Sequence, residues 1–410
     1  MEIGPTDIAV VALVLIGYAL LSGRSRRWPV TMPMVLVGAG VLSHATGLVR
    51  LDLSHSGIGL VGEAALAIVL FSDAVRIDVR VLRRERGLPL RLLGIGLPLS
   101  ILVGTVVVVL LLPDLGIWGA ALLAAVLAPT DPALGQAVVD DESVPLRVRQ
   151  SLNVESGLND GLVLPVVLLF IGLSGGRTDG EQSWPTFVVQ QVGFGVVVGA
   201  LVGAAAALLL RRAQRAESVE GLYAQLATLS VAVLALTASI AVGGNGFVAA
   251  FIGGMAFGAL SREGGTPLVE YTEDSGQLLA AVSFFLFGNV LLPESLERPS
   301  WAVVLCAVAV LVSLAGSRTA WRTRVFIGWF GPRGLASIVF GILLVEEQVD
   351  MAEEIFSVIA FTVLLSVVAH GATAGWGANR YGRWYTASGR DRVVAAEAES
   401  VHRHRTRGWR

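Results

Sequence analysis

The chain has 410 residues, of which 54% are hydrophobic and only 15% charged, against about 25% charged in an ordinary soluble domain. So little polar surface cannot cover a soluble globule of this size. The formal net charge of -2 offers no nucleic-acid-binding surface, all 30 basic residues are Arg, and the lone cysteine, Cys306, excludes an intramolecular disulfide.

The apolar residues fall in runs long enough to span a membrane, which takes about 20 residues each. Thirteen spans are predicted in chain order, near 6–21, 30–49, 57–75, 92–112, 117–139, 148–172, 185–209, 221–241, 244–260, 276–292, 300–316, 324–345 and 355–376. Gly243, Gly244, Asn245 and Gly246 supply the turn that separates the eighth from the ninth. No basic flank precedes the first apolar run, so no cleaved signal peptide is expected. The pattern is that of an all-α polytopic membrane protein.

Arginine fixes the direction of the spans, because it concentrates in cytoplasmic loops. Twenty-six of the 30 Arg residues lie in the odd-numbered connections and the C-terminal tail, while the even-numbered connections hold only Arg50, Arg177 and Arg298. A missed or invented span would destroy that alternation. The expected topology is a multi-pass protein of the cell membrane, with its N-terminus outside and its C-terminus in the cytoplasm. Residues 1–378 form the transmembrane domain and 379–410 a short Arg-rich tail, read as solvated and held near anionic lipid. The alternative for the tail is a pH-sensing role for His402 and His404.

Ionisable residues inside spans are expensive and mark function. In the third span Asp73 lies near the cytoplasmic edge, at an ion entrance or paired with Arg76 at i+3, and Glu63 has no evident partner. Deeper lie Asp131 in the fifth span, Glu155 and Asp160 in the sixth, and Arg333 in the twelfth. At ~1.5 Å per residue they sit roughly 14, 12, 20 and 15 Å from the cytoplasmic ends of their spans. Alone in lipid these four would cost about 10–14 kcal/mol together, so they face one another or water.

The fifth span carries APTDP and the twelfth GPRG. Pro129 and Pro132 bracket Thr130 and Asp131, and Pro332 precedes Arg333. Each proline removes a donor and clashes with the preceding turn, so both helices should break at midplane. Breaks in oppositely oriented spans predict an inverted-repeat secondary transporter; the plainer alternative is two kinks used only for packing. A freed Thr130 carbonyl, with Ser156 and Asp160 at i, i+4 on the sixth span, makes a hard oxygen site for a small alkali cation. Burial favours the protonated form of a carboxylate and a nearby cation its ionised form, so cation and proton compete for Asp160. Asn159 cannot titrate, which points to one proton per cation. Glu155, on another face, is expected to pair with Arg333; the alternative geometry, Arg333 facing Asp160, would repel a cation.

APTDP, then ESGLNDG, NGFVAAFIGG and GPRG in that order resemble the sodium/proton exchanger family, and more closely its electroneutral bacterial and archaeal branch. The resemblance runs over nearly all the spans. It implies about 13 transmembrane helices with two crossed, broken helices, and Na+ held at Asp160, Ser156 and Thr130. It also implies Asp131 at the crossing, Asn159 as the neutral partner, a buried Glu155–Arg333 ion pair and an acidic Asp73 near the ion. A homodimer whose core bundle moves against a scaffold is implied too, with Gly195, Gly199 and Gly203 suited to close helix packing.

The function expected is therefore Na+ (or Li+)/H+ exchange serving pH homeostasis, probed against a K+/H+ antiporter as the nearest alternative. Its partners are monovalent cations, protons and the lipid bilayer, with no nucleic acid and no cofactor beyond the transported ions. A cation channel would want a continuous pore. An intramembrane aspartyl protease using Asp131 and Asp160 would want Tyr-Asp and Gly-x-Gly-Asp contexts that neither acid has, and no enzyme activity is expected.

Overall fold

A computed structural model describes residues 5–25, 30–49, 55–77, 92–131, 146–174, 184–261, 265–296 and 331–387, with Leu134, Val138, Val144, Phe326 and Trp329 between them. Hydrocarbon offers no partner for backbone N–H and C=O groups, so apolar runs of this length must satisfy them internally as helix. The described residues are helical accordingly, with no strand among them. The helices are α1 (Pro5–Ser25), α2 (Met32–Thr46), α3 (His55–Arg76), α4 (Leu97–Leu111), α5 (Gly116–Val126) and α6 (Leu146–Leu173). They continue with α7 (Trp184–Arg215), α8 (Gly221–Ala241), α9 (Gly246–Leu260), α10 (Gly265–Leu286), α11 (Leu335–Glu346) and α12 (Ala352–Ala387). A π turn at Phe287–Leu291 carries α10 on into Leu292–Leu296, just where Pro293 removes a backbone donor.

These helices lie within or over the expected spans, apart from the eleventh span, 300–316, most of the fifth beyond Asp131 and most of the first half of the twelfth, which lie outside the described residues. The count of thirteen is therefore not fixed by the described helices. Among the described residues, six helices are long and apolar enough to cross a membrane. Their burial sorts them: in the apolar 18-residue stretch of each, only 17% is buried in Gly94–Leu111 and 22% in Pro185–Arg215, against 67% in Leu268–Ser295 and in Ala352–Tyr385. Hence α4 and α7 present apolar faces outward, while α10 and α12 run through the centre.

The turn between α8 and α9 forms as its glycines predict. Gly243 takes φ 79, and the Asn245 side chain accepts from Phe247 N at 3.0 Å and Val248 N at 3.1 Å, capping α9. From there α9 lies pressed against two neighbours. A Cβ on Gly195 would stand 2.9 Å from Asn245 O, and one on Gly199 2.8 Å from Ala249 Cα, so α7 meets α9 backbone to backbone. On its other side a Cβ on Gly258 would stand 2.9 Å from Val75 Cα of α3. The small residues of α7 thus do pack helices closely, within one chain.

Phe71, Phe257, Phe284, Phe285, Phe287 and Phe340 fill the centre and are fully buried. Past residue 378, α12 continues to Ala387, and Tyr381 stacks on Phe326 with ring centroids 4.2 Å apart. His402 and His404 lie outside the described residues.

Candidate functional site

Helix α5 ends at Val126 because Pro129 can continue neither its hydrogen bonds nor its sterics. Leu127 and Ala128 still donate to Leu123 O (3.1 Å) and Ala125 O (3.1 Å), after which the chain runs through Pro129, Thr130 and Asp131 without helical structure. Residues Gly331, Pro332, Arg333 and Gly334 are likewise non-helical, and α11 starts at Leu335. The two broken segments cross and are tied backbone to backbone: Asp131 N donates to Pro332 O at 2.7 Å.

Each segment also caps the other's helix. Asp131 Oδ2 accepts from Leu335 N at 2.9 Å, placing a carboxylate at the positive N-terminal end of α11. Arg333 Nε donates to Leu127 O at 2.8 Å, placing a guanidinium at the negative C-terminal end of α5. Arg333 also donates through Nη1 to Gly331 O, and Ser337 Oγ donates to Val126 O at 2.9 Å. Gly331 lies against Thr130, and Gly334 leaves no room for a side chain beside Asp131. Asp131 and Arg333 are 8% and 4% exposed, so charges and helix ends offset one another where water cannot.

Helix α6 passes this crossing. Asn159 grips Thr130 at two points: Oδ1 accepts from Thr130 N at 3.2 Å, and Nδ2 donates to Thr130 Oγ1 at 3.0 Å. The next residue, Asp160, is 4% exposed, and its Oδ1 has no hydrogen-bond partner among the described residues. Its electrostatic neighbours are Asp131 and Asp73. Gly161 lets the Phe251 ring of α9 come close, since a Cβ there would stand 2.5 Å from the ring, and this closes one side of the site with hydrocarbon. A buried carboxylate with an unpaired oxygen and two acidic neighbours calls for a proton or a cation.

The family description "sodium/hydrogen exchanger, transmembrane" matches residues 10–379 of the chain. The chain belongs to the sodium/hydrogen exchanger family. Solved structures of the sodium proton antiporter MjNhaP1 from Methanocaldococcus jannaschii share its fold, one with a TM-score of 0.68 at 19% identity over 89% of this chain and 98% of that one. A relative from Shewanella sp. (strain MR-4), named K(+)/H(+) antiporter NhaP2, is 26% identical over 88% of this chain. The matched region makes up 64% of that relative's length. A Schizosaccharomyces pombe protein named Na(+)/H(+) antiporter is 23% identical over 64% of this chain.

On this exchanger fold the residues expected from sequence are placed as follows. Thr130, Asp131, Asn159 and Arg333 meet at the crossing, with Asp160 next to Asn159 on α6. Asp73, on α3, is an electrostatic neighbour of both Asp131 and Asp160. Glu155 and Ser156 lie on α6, but their side chains are outside the described residues, and so is any Glu155–Arg333 contact. Arg76 makes its close ion pair with Glu273 of α10, and acts on Asp73 one turn away through its charge. Glu63 does have a neighbour, a second acid, Glu346 at the end of α11.

Sequence reasoning missed the Asn159 clamp on Thr130, because adjacency to Asp160 says nothing of what a side chain on another helix face will meet. It missed Glu273 for a similar reason: one acid among the three of VEYTED, with Glu270 and Asp274, is unremarkable until Arg76 is seen beside it.

Proposed function

We propose that this exchanger-family chain carries Na+ or Li+ across the membrane in exchange for H+, one for one, with cation and proton competing for Asp160. The observation that carries this reading is Asp160 itself, a buried carboxylate with an unpaired Oδ1 beside a non-helical crossing. Thr130 and Ser156 complete the cation's oxygen shell, and Na+ is cargo rather than a resident metal. Asn159 holds Thr130 in register and, being neutral, leaves Asp160 as the group that exchanges a proton. Asp73 draws cations toward the site from the cytoplasmic side. Asp131 acts through the field it adds to Asp160 and through its hold on α11. Glu155 pairs with Arg333 and neutralises that guanidinium, so that it does not repel the cation.

Access alternates as the bundle carrying the crossing shifts against the rest of a homodimeric protein in the cell membrane. The Arg distribution supports an external N-terminus and a cytoplasmic C-terminus. Exchange resides in residues 1–378, with 379–410 serving as a cytoplasmic extension. A second reading, K+/H+ exchange on the same site, is favoured by the Shewanella relative named for that activity.

Purified protein in proteoliposomes with an imposed pH gradient tests this. Added Na+ or Li+ is expected to collapse the gradient at the same rate with the membrane potential held at zero or imposed with either sign, because one-for-one exchange moves no net charge. Collapse by K+ alone would move the assignment to the second reading. A rate that follows the imposed potential would contradict the one-for-one ratio.

A further inference from the structure

Helix α12 brings two buried polar side chains to the crossing that the exchange reading leaves unused. Ser366 is 0% exposed and His370 5%. Ser366 Oγ accepts from Arg333 N at 2.7 Å and stands 3.1 Å from His370 Nδ1, which is also 2.8 Å from Ser366 O. The His370 ring lies over Trp329, with centroids 5.3 Å apart, and interacts with the Trp329 backbone. Trp329 in turn donates from Nε1 to Thr373 Oγ1 at 2.8 Å. Ser366, His370 and Thr373 share one face of α12 by their i, i+4, i+7 spacing. That face therefore holds the chain on both sides of Pro332: Trp329 before the break and Arg333 within it.

A segment without helical hydrogen bonds needs something else to fix its backbone, since buried N–H groups must find partners. Ser366 provides that partner for Arg333 N, and His370 holds the Ser366 hydroxyl in place. The constraint passes onward, because Pro332 O receives Asp131 N at 2.7 Å, and Asp131 adjoins Thr130. A displacement at Ser366 thus reaches the oxygen atoms beside the ion by four covalent or hydrogen-bonded steps.

We propose that Ser366 and His370 are positioning residues for ion binding: they form a strut from α12 that sets the crossing's geometry and hence cation affinity. This rests on the reading of Asp160 as the cation and proton site. The strut touches no ion, so its loss raises the half-saturating cation concentration more than it lowers the maximal rate.

The test measures exchange against cation concentration in proteoliposomes for Ser366→Ala, His370→Ala and His370→Asn, with Asp160→Asn in parallel. Asn places an amide near the position of Nδ1. The two Ala variants are expected to raise half-saturation about fivefold or more, and His370→Asn to restore it to within about twofold of wild type, as the loss and return of one buried hydrogen bond implies. Wild-type half-saturation in Ser366→Ala, or His370→Asn no better than His370→Ala, would overturn the strut. Should Ser366→Ala fail to fold, the two His370 variants decide alone. Exchange surviving in Asp160→Asn would instead remove the ion-site reading; a silent Asp160→Asn beside an unaltered Ser366→Ala would remove only the strut.

Discussion

Asp160→Asn is expected to abolish cation-driven proton flux, by about a hundredfold or more, equivalent to ~2.7 kcal/mol in the rate-limiting step. Asn matches the carboxylate in shape but carries neither the proton to be exchanged nor the charge that attracts a cation. The same change should leave the folded protein as stable as wild type or more so. An ionised carboxylate at 4% exposure, with Asp131 and Asp73 as electrostatic neighbours, is costly to the fold, and a neutral amide relieves that cost. Loss of transport with equal or higher Tm is the signature of a functional acid, whereas a structural acid would lose both. Flux by pH-gradient collapse and thermal unfolding in detergent supply the two readouts.

Gly334→Ala should fail for a different reason. A Cβ there would lie 2.6 Å from Asp131 Cγ and 2.7 Å from Asp131 Cβ, so Asp131 must move. Moving it strains two bonds at once, the 2.9 Å cap on Leu335 N and the 2.7 Å bond from Asp131 N to Pro332 O. Overpacking and a lost helix cap together cost about 2–4 kcal/mol, which should appear as a lower Tm. Transport should fall at least about tenfold, as expected when a site is displaced by an ångström or so. Wild-type flux in Gly334→Ala would mean that the crossing does not fix Asp131 and that the reciprocal caps are dispensable.

Much of this architecture is legible in the sequence because a membrane makes polar and helix-breaking residues conspicuous. Pro129, Pro132 and Pro332 announce the two breaks, and charges at Asp131, Asp160 and Arg333 have nowhere to be except near one another. What the sequence leaves open is how those charges are shared out. The Arg333 guanidinium, read from sequence as the counter-ion of Glu155, also donates to two carbonyls, those of Leu127 and Gly331. Asp131 reads as an acid at the crossing, but not as the residue whose oxygen holds the start of α11. Helix ends behave as partial charges, and no linear pattern tells a reader that two broken helices will present opposite ends to one another. The Arg76–Glu273 pair joins residues 197 apart, a separation at which periodicity carries no information. Glu63 and Glu346 show the converse: two acids met across α3 and α11 where the sequence offered a lone one.

The half-saturating cation concentration, measured against pH in proteoliposomes with equal pH on both sides, tests competition at Asp160 most directly. If proton and cation bind one carboxylate, half-saturation rises about tenfold for each unit the pH falls once the protonated form dominates, then levels off at higher pH while the maximal extent of binding stays constant. A half-saturation that does not change with pH, with protons altering only the maximal rate, would place the two ions on separate groups and contradict exchange at Asp160.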